Sequence, residues 1–291
     1  MAAVPQIARI SLKNILFPTD FSEASEKALP FALTLARLYG ATLHIAHVIL
    51  PEPHRPIVVD RLPEQDDRVW EESKRRLSWF TSDTEIADVR CKTLLASGDL
   101  AEVIPDLAGE HAIDLVVVGT HGRTGFSKMM MGSKAEQIYR SAPCPVLTIG
   151  PHVSGSDWKL RTILCPVDAA ENPQAALGFG LSLAEENQAS FLVMQAVPMV
   201  PWQQRAALEA QAWQQMRSLV ADGSDWCAPE FLVRWEHPAE AILKAALERE
   251  VDLIVLGVRK ARAAGLSSHL PWPVASEVVS RAPCPVVTVR V

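Results

Sequence analysis

No CxxC pair occurs in this sequence, and its five cysteines (Cys91, Cys144, Cys165, Cys227 and Cys284) are an odd number. That sets aside both a disulfide framework and a structural zinc site. Cys144 and Cys284 each sit in an APCPV block beside a predicted strand, and the expectation is that they pack as small buried hydrophobes. Long apolar runs are missing too: none approaches the ~20 residues that a membrane span needs. The opening MAAVPQIARISLKN has neither the apolar segment nor the cleavage site of a secretory signal, so a cytoplasmic location is expected. Positive charge is not in excess. A net charge of −6 argues against nucleic acid or an anionic membrane as partner. What is present, 48% hydrophobic and 21% charged residues over 291 positions, suits a globular chain of one large or two ordinary domains.

Internal repetition decides for two. ILFPTD (15–20) answers to ILCPVD (163–168), IDLVVVG (113–119) to VDLIVLG (251–257), and SAPCPVLTI (141–149) to RAPCPVVTV (281–289). Spacing follows the same order: Asp20 to Gly119 is 99 residues and Asp168 to Gly257 is 89. Between the copies, GPHVSGSDW has the glycine, serine and proline content of a linker. The expected division is a first domain over 1–150, a linker over 151–158 and a second domain over 159–291.

Within copy one, short apolar and β-branched runs predict strands at about 14–18, 42–48, 90–95, 114–118 and 145–149. Amphipathic stretches predict helices at about 22–39, 63–81, 100–111 and 133–141. In the first helix Ala28, Phe31, Ala32, Leu35, Ala36 and Leu38 make a broad apolar face, and Gly40 suits the C-terminal cap. The run Val116–Val118 is apolar at successive positions, as in a strand covered on both faces. Copy two repeats the order, with strands near 162–166, 190–196, 231–235, 252–256 and 285–290. Strict β-α alternation predicts an α/β fold, with a parallel sheet in each copy and helices on both sides.

The stretch GTHGRTGFSKMMMGS (119–133) follows the fourth strand of copy one directly. Ligands of open α/β sheets lie beyond the carboxyl ends of strands. The loop PTDFS (18–22) leaves the first strand at the same end. If those strands are neighbours, Asp20 faces the glycine loop, and its carboxylate can accept hydrogen bonds from ribose hydroxyls or an adenine edge. Gly132-Ser133 precedes a helix whose first-turn N–H groups favour a phosphate, and Arg123 and Lys128 can add charge-assisted contacts. Each feature also has an ordinary account. Glycines after a strand make turns, Ser133 with Glu136 fits a capping box, and Asp20 can cap the first helix. His121 can simply be solvated, and Met129, Met130 and Met131 can pack against the sheet or a partner.

Together these residues resemble one family. Gly119, Gly122 and Gly132-Ser133 match the G-x2-G-x9-G-[S/T] signature of the ATP-binding branch of the universal stress proteins. PTDFSEAS and APCPVL are similar to that family too, and both copies take part, so the chain resembles a tandem universal stress protein. The resemblance implies two doubly wound domains of Rossmann-like, adenine nucleotide alpha hydrolase-like fold, each with a five-stranded parallel sheet in order 3-2-1-4-5. It implies ATP, often with a divalent cation such as Mg²⁺. Pro18, Thr19 and Asp20 would then lie at the adenosine part and Val48 would contact adenine. Gly119, His121, Gly122, Arg123, Gly132 and Ser133 complete the nucleotide set, the glycines and Ser133 holding ribose and phosphates.

Copy two departs from the pattern. It keeps Asp168 and Gly257, but Lys260 stands at the second glycine, and Trp272-Pro273 falls where copy one has Gly132-Ser133. Tryptophan blocks close approach, and proline has no N–H to offer. Glu236 replaces Gly98 after the third strand, where a carboxylate would repel phosphate. Trp202, Trp213, Trp226 and Trp235 fit either internal packing or a partner surface. The leading expectation is a nucleotide-binding regulatory protein whose second copy pairs with the first as the two halves of a homodimer would, with further pairing of chains open. A slow ATPase is the second class, although no Walker lysine, GxSxG, HIGH or SGGxDS-type motif is present. A structural or interaction protein indifferent to nucleotide is the third.

Overall fold

The computed structural model describes residues 10–50, 63–82, 86–120, 133–153, 157–168, 173–220, 228–258 and 272–290. Copy one contributes β1 (Asn14–Pro18), α1 (Glu23–Tyr39), β2 (Thr42–Ile49), α2 (Pro63–Thr81), β3 (Arg90–Ser97), α3 (Leu100–Glu110), β4 (Leu115–Gly119), α4 (Ser133–Ser141) and β5 (Val146–Ile149). Copy two contributes β6 (Thr162–Pro166), α5 (Gln174–Asn187), β7 (Ser190–Ala196), α6 (Trp202–Val220), β8 (Glu230–Arg234), α7 (Pro238–Glu248), β9 (Leu253–Val258), α8 (Trp272–Arg281) and β10 (Val286–Arg290). Alternation of strand and helix is complete in both.

The chain forms two compact units, the first holding β1–β4 with α1–α4 and the second β5–β10 with α5–α8. In the first, β1 pairs in parallel with both β2 and β4, and β2 with β3, giving the order 3-2-1-4. The second repeats it, with β6 between β7 and β9 and β8 beyond β7, and β10 runs parallel to β9. Strand β5 lies antiparallel to β10, with Val286 opposite Thr148 and Thr288 opposite Val146. The last strand of the first sequence copy therefore shares a sheet with the second copy.

Sequence explains the elements locally. Ser22 caps α1 by accepting from Ser25 N–H, Glu23 and Glu26 lie in the positive first turn, and Gly40 closes the helix in the left-handed region at φ 61°. Gln188 takes the same role after α5 at φ 53°. The face of α1 buries Ala28, Phe31, Ala32, Leu35 and Ala36 as expected, but Leu38 is 52% exposed. Seven residues beyond Phe31, it lies on the same edge of the apolar face but in the last turn of the helix. Ile15, Leu16 and Phe17 of β1 and Ile163, Leu164 and Cys165 of β6 are wholly buried, each large side chain contributing about 1.5–3 kcal/mol of transfer free energy. Burial pushes the thiols of Cys165 and Cys284 up to about 12, which leaves them inert hydrophobes. Among the described residues, no helix is long and apolar enough to cross a membrane.

One aspartate in each copy fixes strand adjacency. Asp114 Oδ2 accepts from the N–H groups of Lys13 (2.7 Å) and Asn14 (2.9 Å), while Asp114 N–H donates to Asn14 O. Asp252 repeats this with Arg161 and Thr162, both at 2.9 Å, and its own N–H donates to Thr162 O. These clamps tie the start of the fourth strand to the start of the first. Removing the carboxylate takes the acceptor from one part-buried and one exposed backbone donor, so Asp114→Ala and Asp252→Ala should each cost about 1–2 kcal/mol, read as a lower urea midpoint.

Candidate functional site

With β1 and β4 side by side, their carboxyl ends open onto one crevice. Pro18 ends β1, and Thr19 N–H continues the ladder to Ala46 O of β2 at 2.8 Å. The next residues form a tight relay. Ser25 Oγ donates to Ser22 O at 2.9 Å, so its partnership with Thr19 Oγ1 at 3.0 Å makes the threonine hydroxyl the donor there. Thr19 Oγ1 in turn accepts from Phe21 N–H at 3.0 Å. Asp20 Oδ1 accepts from Ser22 N–H at 3.1 Å. Asp20 thus shapes the turn before α1, while Ser22 caps the helix.

Phe21 holds φ 54°, a left-handed conformation that costs a side-chain-bearing residue roughly 1–2 kcal/mol. Its ring explains why a phenylalanine tolerates it. The His47 ring lies 4.6 Å away, Phe80 meets it edge-on at 6.1 Å, and the Arg76 guanidinium sits 4.6 Å from its centroid. His47 Nδ1 is 2.8 Å from Thr19 O. A carbonyl only accepts, so Nδ1 carries the proton and Nε2 is the bare acceptor of the neutral ring. Burial lowers the His47 pKa, outweighing the Thr19 carbonyl, which raises it. Arg76 and Lys134 lower it further, against the opposing charge of Asp20.

The far side of the crevice is the start of α4. Lys134, its second residue, places Nζ 3.4 Å from Asp20 Oδ2. Burial works to raise the Asp20 pKa, but the Ser22 hydrogen bonds and the Lys134 charge prevail and hold it below the usual carboxylate value. The structure therefore brings together Pro18, Thr19 (5% exposed), Asp20 and the first turn of the helix that begins at Ser133. Val48 is buried in β2, two residues from Ala46. Glu136 pairs with Arg140 at 2.6 Å, which gives the carboxylate of the expected capping box another partner. His121, Gly122, Arg123, Gly132, Lys128 and Met129–Met131 lie outside the described residues, as do Lys260 and Trp226.

Gly119 has a reason of its own. A Cβ there would overlap the carbonyl oxygen of Ala24 in α1, so its bareness serves helix–strand packing. Copy two keeps Gly257 at the matching place in β9 and changes only the later glycine positions. The glycines of the motif thus divide: Gly119 is required by the fold, whereas Gly122 and Gly132 have side-chain-bearing counterparts.

Copy two is built differently at the same place. Val167 N–H bonds Met194 O at 2.8 Å as Thr19 does Ala46, but valine has no hydroxyl for the relay. Gln195 occupies the strand position of His47, and its buried Oε1 has no hydrogen-bond partner among the described residues. Glu236 is bound by Lys244 at 2.6 Å. Helix α8 begins at Trp272, one residue earlier than α4 begins when the copies are aligned on APCP. Of the tryptophans, Trp213 packs edge-on against Phe231, Arg205 lies over Trp235, and Trp202 is 76% exposed.

Phe21, His47, Arg76 and Lys134 were not singled out from sequence. A signal existed for two of them, since alignment of the copies sets His47 against Gln195 and Lys134 against Val274.

Comparison with known proteins gives one family. The model of the universal stress protein family matches residues 11–150 and again 159–290. A universal stress protein of Methanocaldococcus jannaschii is 30% identical over 138 residues, covering 47% of this chain and 81% of that protein. A homologue of universal stress protein A from Coxiella burnetii is 32% identical over 143 residues, covering 47% and 95%. A solved universal stress protein from Archaeoglobus fulgidus superposes with a TM-score of 0.71 at 17% identity, covering 97% of this chain and 99% of that one, a likeness of fold.

Two outcomes follow from the geometry. Gly119→Ala should destabilise the protein by about 1–3 kcal/mol in urea unfolding, with no ligand present. His47, with its folded pKa below its ordinary 6.5, contributes stability that is complete above 6.5 and is lost as pH falls through that value toward the folded pKa. Buried His44, lowered mainly by burial and then by His111 and Lys92, acts in the same direction. Between about pH 7.5 and 5.5, His47→Gln should lose less stability than the parent protein, with His44 supplying part of the remainder.

Proposed function

The chain belongs to the universal stress protein family, and from that premise we propose that its first copy binds ATP in the crevice between the ends of β1 and β4. Nucleotide occupancy would then make the protein a regulator in a stress response, with the second copy as a pseudo-symmetric partner that holds no nucleotide in this manner. The observation that carries this reading is the contrast between copies. Residues 119–133 keep the whole glycine-serine signature, while copy two has Lys260 and Trp272-Pro273 at its positions. The 3.4 Å contact of Lys134 with Asp20 supports it, since it sets the N-terminus of α4 beside the Asp20 turn.

In this reading Asp20, with Pro18 and Thr19, meets the adenosine part and Val48 the adenine. Gly119, His121, Gly122 and Arg123 follow the ribose and phosphates, and the Gly132-Ser133 backbone meets the phosphate end, where helix N–H groups favour anions. The double match of the family within one chain supports the role given to the second copy.

Calorimetric titration with ATP tests the assignment. The parent protein should bind, and the double change Gly132→Trp, Ser133→Pro should weaken binding by at least about tenfold while leaving the melting temperature of the free protein close to the parent's. Undiminished binding in the variant, or none in the parent, overturns it.

A further inference from the structure

Family resemblance implies ATP with a divalent cation, and the residues present can be tested for that ion. A hard divalent cation beside a polyphosphate takes its protein ligands from one or two carboxylates. Asp20 is the carboxylate at this crevice, and both its oxygens are engaged. Oδ1 accepts from Ser22 N–H, and Oδ2 faces the Lys134 ammonium. A divalent ion entering at Oδ2 would have to displace that ammonium or sit against a like charge. Arg76 adds a second positive charge near enough to act on His47, and among the described residues no cluster of three or more His, Cys, Asp or Glu could hold a metal. The site does not fit a protein-bound metal.

We propose that Lys134 takes the place of the divalent cation in the first copy, so that ATP is held as the free polyphosphate. The inference rests on the nucleotide reading above. Lys134 follows Ser133 directly, so its flexible stem is rooted in the same helix turn whose N–H groups face the phosphate end. Its contact with Asp20 is loose: 3.4 Å is long beside the 2.7–2.9 Å or so of a strong charge-assisted bond, and the side chain is 49% exposed. The ammonium, with three N–H donors, can therefore reach a phosphate oxygen while staying beside Asp20. Copy two points the same way. Aligned on APCP, the position of Lys134 there is Val274, so the copy that lacks the glycine-serine signature also lacks the cation. The fold itself does not require a lysine at that point of the helix.

Calorimetry on the full chain, with ATP in EDTA and again in excess Mg²⁺, tests this. The parent protein should bind ATP with affinities within about threefold of each other in the two media. Lys134→Met should bind about tenfold more weakly in EDTA and recover when Mg²⁺ is added, and Lys134→Arg should restore metal-independent binding. Parent binding that collapses in EDTA overturns the inference, as does a Lys134→Met variant that binds like the parent there. Absence of ATP binding by the parent in both media overturns the nucleotide reading itself, an outcome distinct from failure of the lysine's role.

Discussion

A single carboxylate oxygen in each copy sets the frame on which everything else rests. Asp114 Oδ2 takes two consecutive backbone N–H groups at the start of β1, and Asp252 does the same at β6. Parallel strands far apart in sequence have no hairpin to fix their register, so a side chain must help to do it. Once the starts of β1 and β4 are joined, their ends must also be neighbours. Only then does the Asp20 turn stand opposite the segment that leaves Gly119. The site is a consequence of a contact made at the other end of the same strands.

From that frame the crevice acquires its character by local means. A buried hydroxyl relay, Thr19 to Ser25 to Ser22 O, holds the turn from beneath. Phe21 accepts an unfavourable backbone conformation because its ring is enclosed by His47, Phe80 and Arg76. Backbone strain of this kind persists where the surroundings over-determine it, and such places are often functional. In copy two the threonine is Val167 and the histidine Gln195, so two of the polar side chains around the turn are replaced along with the glycine-serine signature. Frame and site have diverged separately: the aspartate clamp is kept in both copies, the turn chemistry in one.

Much of the architecture was legible because periodicity reports on burial. The runs at 14–18, 162–166 and 190–196 are strands over those residues, and the helix expected at 133–141 spans them in full. Leu38 misled because helical periodicity puts it on the edge shared with Phe31, whereas it lies in the last turn of the helix and is exposed there. Gly119 carries a packing constraint that the sequence did not show, its contact with Ala24, since close backbone approach leaves no trace in sequence. For His47 and Lys134 the difference between the copies is a signal of the residue but not of its place. The pleat of β2 decides which face His47 takes, and the place where α4 begins decides whether Lys134 reaches Asp20. Comparison of the two copies is the one sequence signal that separates fold-required glycines from the others.

Strand β5 carries a consequence for how the chain holds together. It is written as the end of the first repeat, yet one of its edges is hydrogen-bonded to β10, the last strand of the second. Loss of β10 by local unfolding or truncation would bare one edge of β5, leaving main-chain groups open to pairing with other chains. The boundaries of cooperative opening therefore need not follow the boundaries of the repeat. Cutting such a protein at its sequence joint near Gly150 would bare the β10 edge of β5 and leave it open to pairing with another chain.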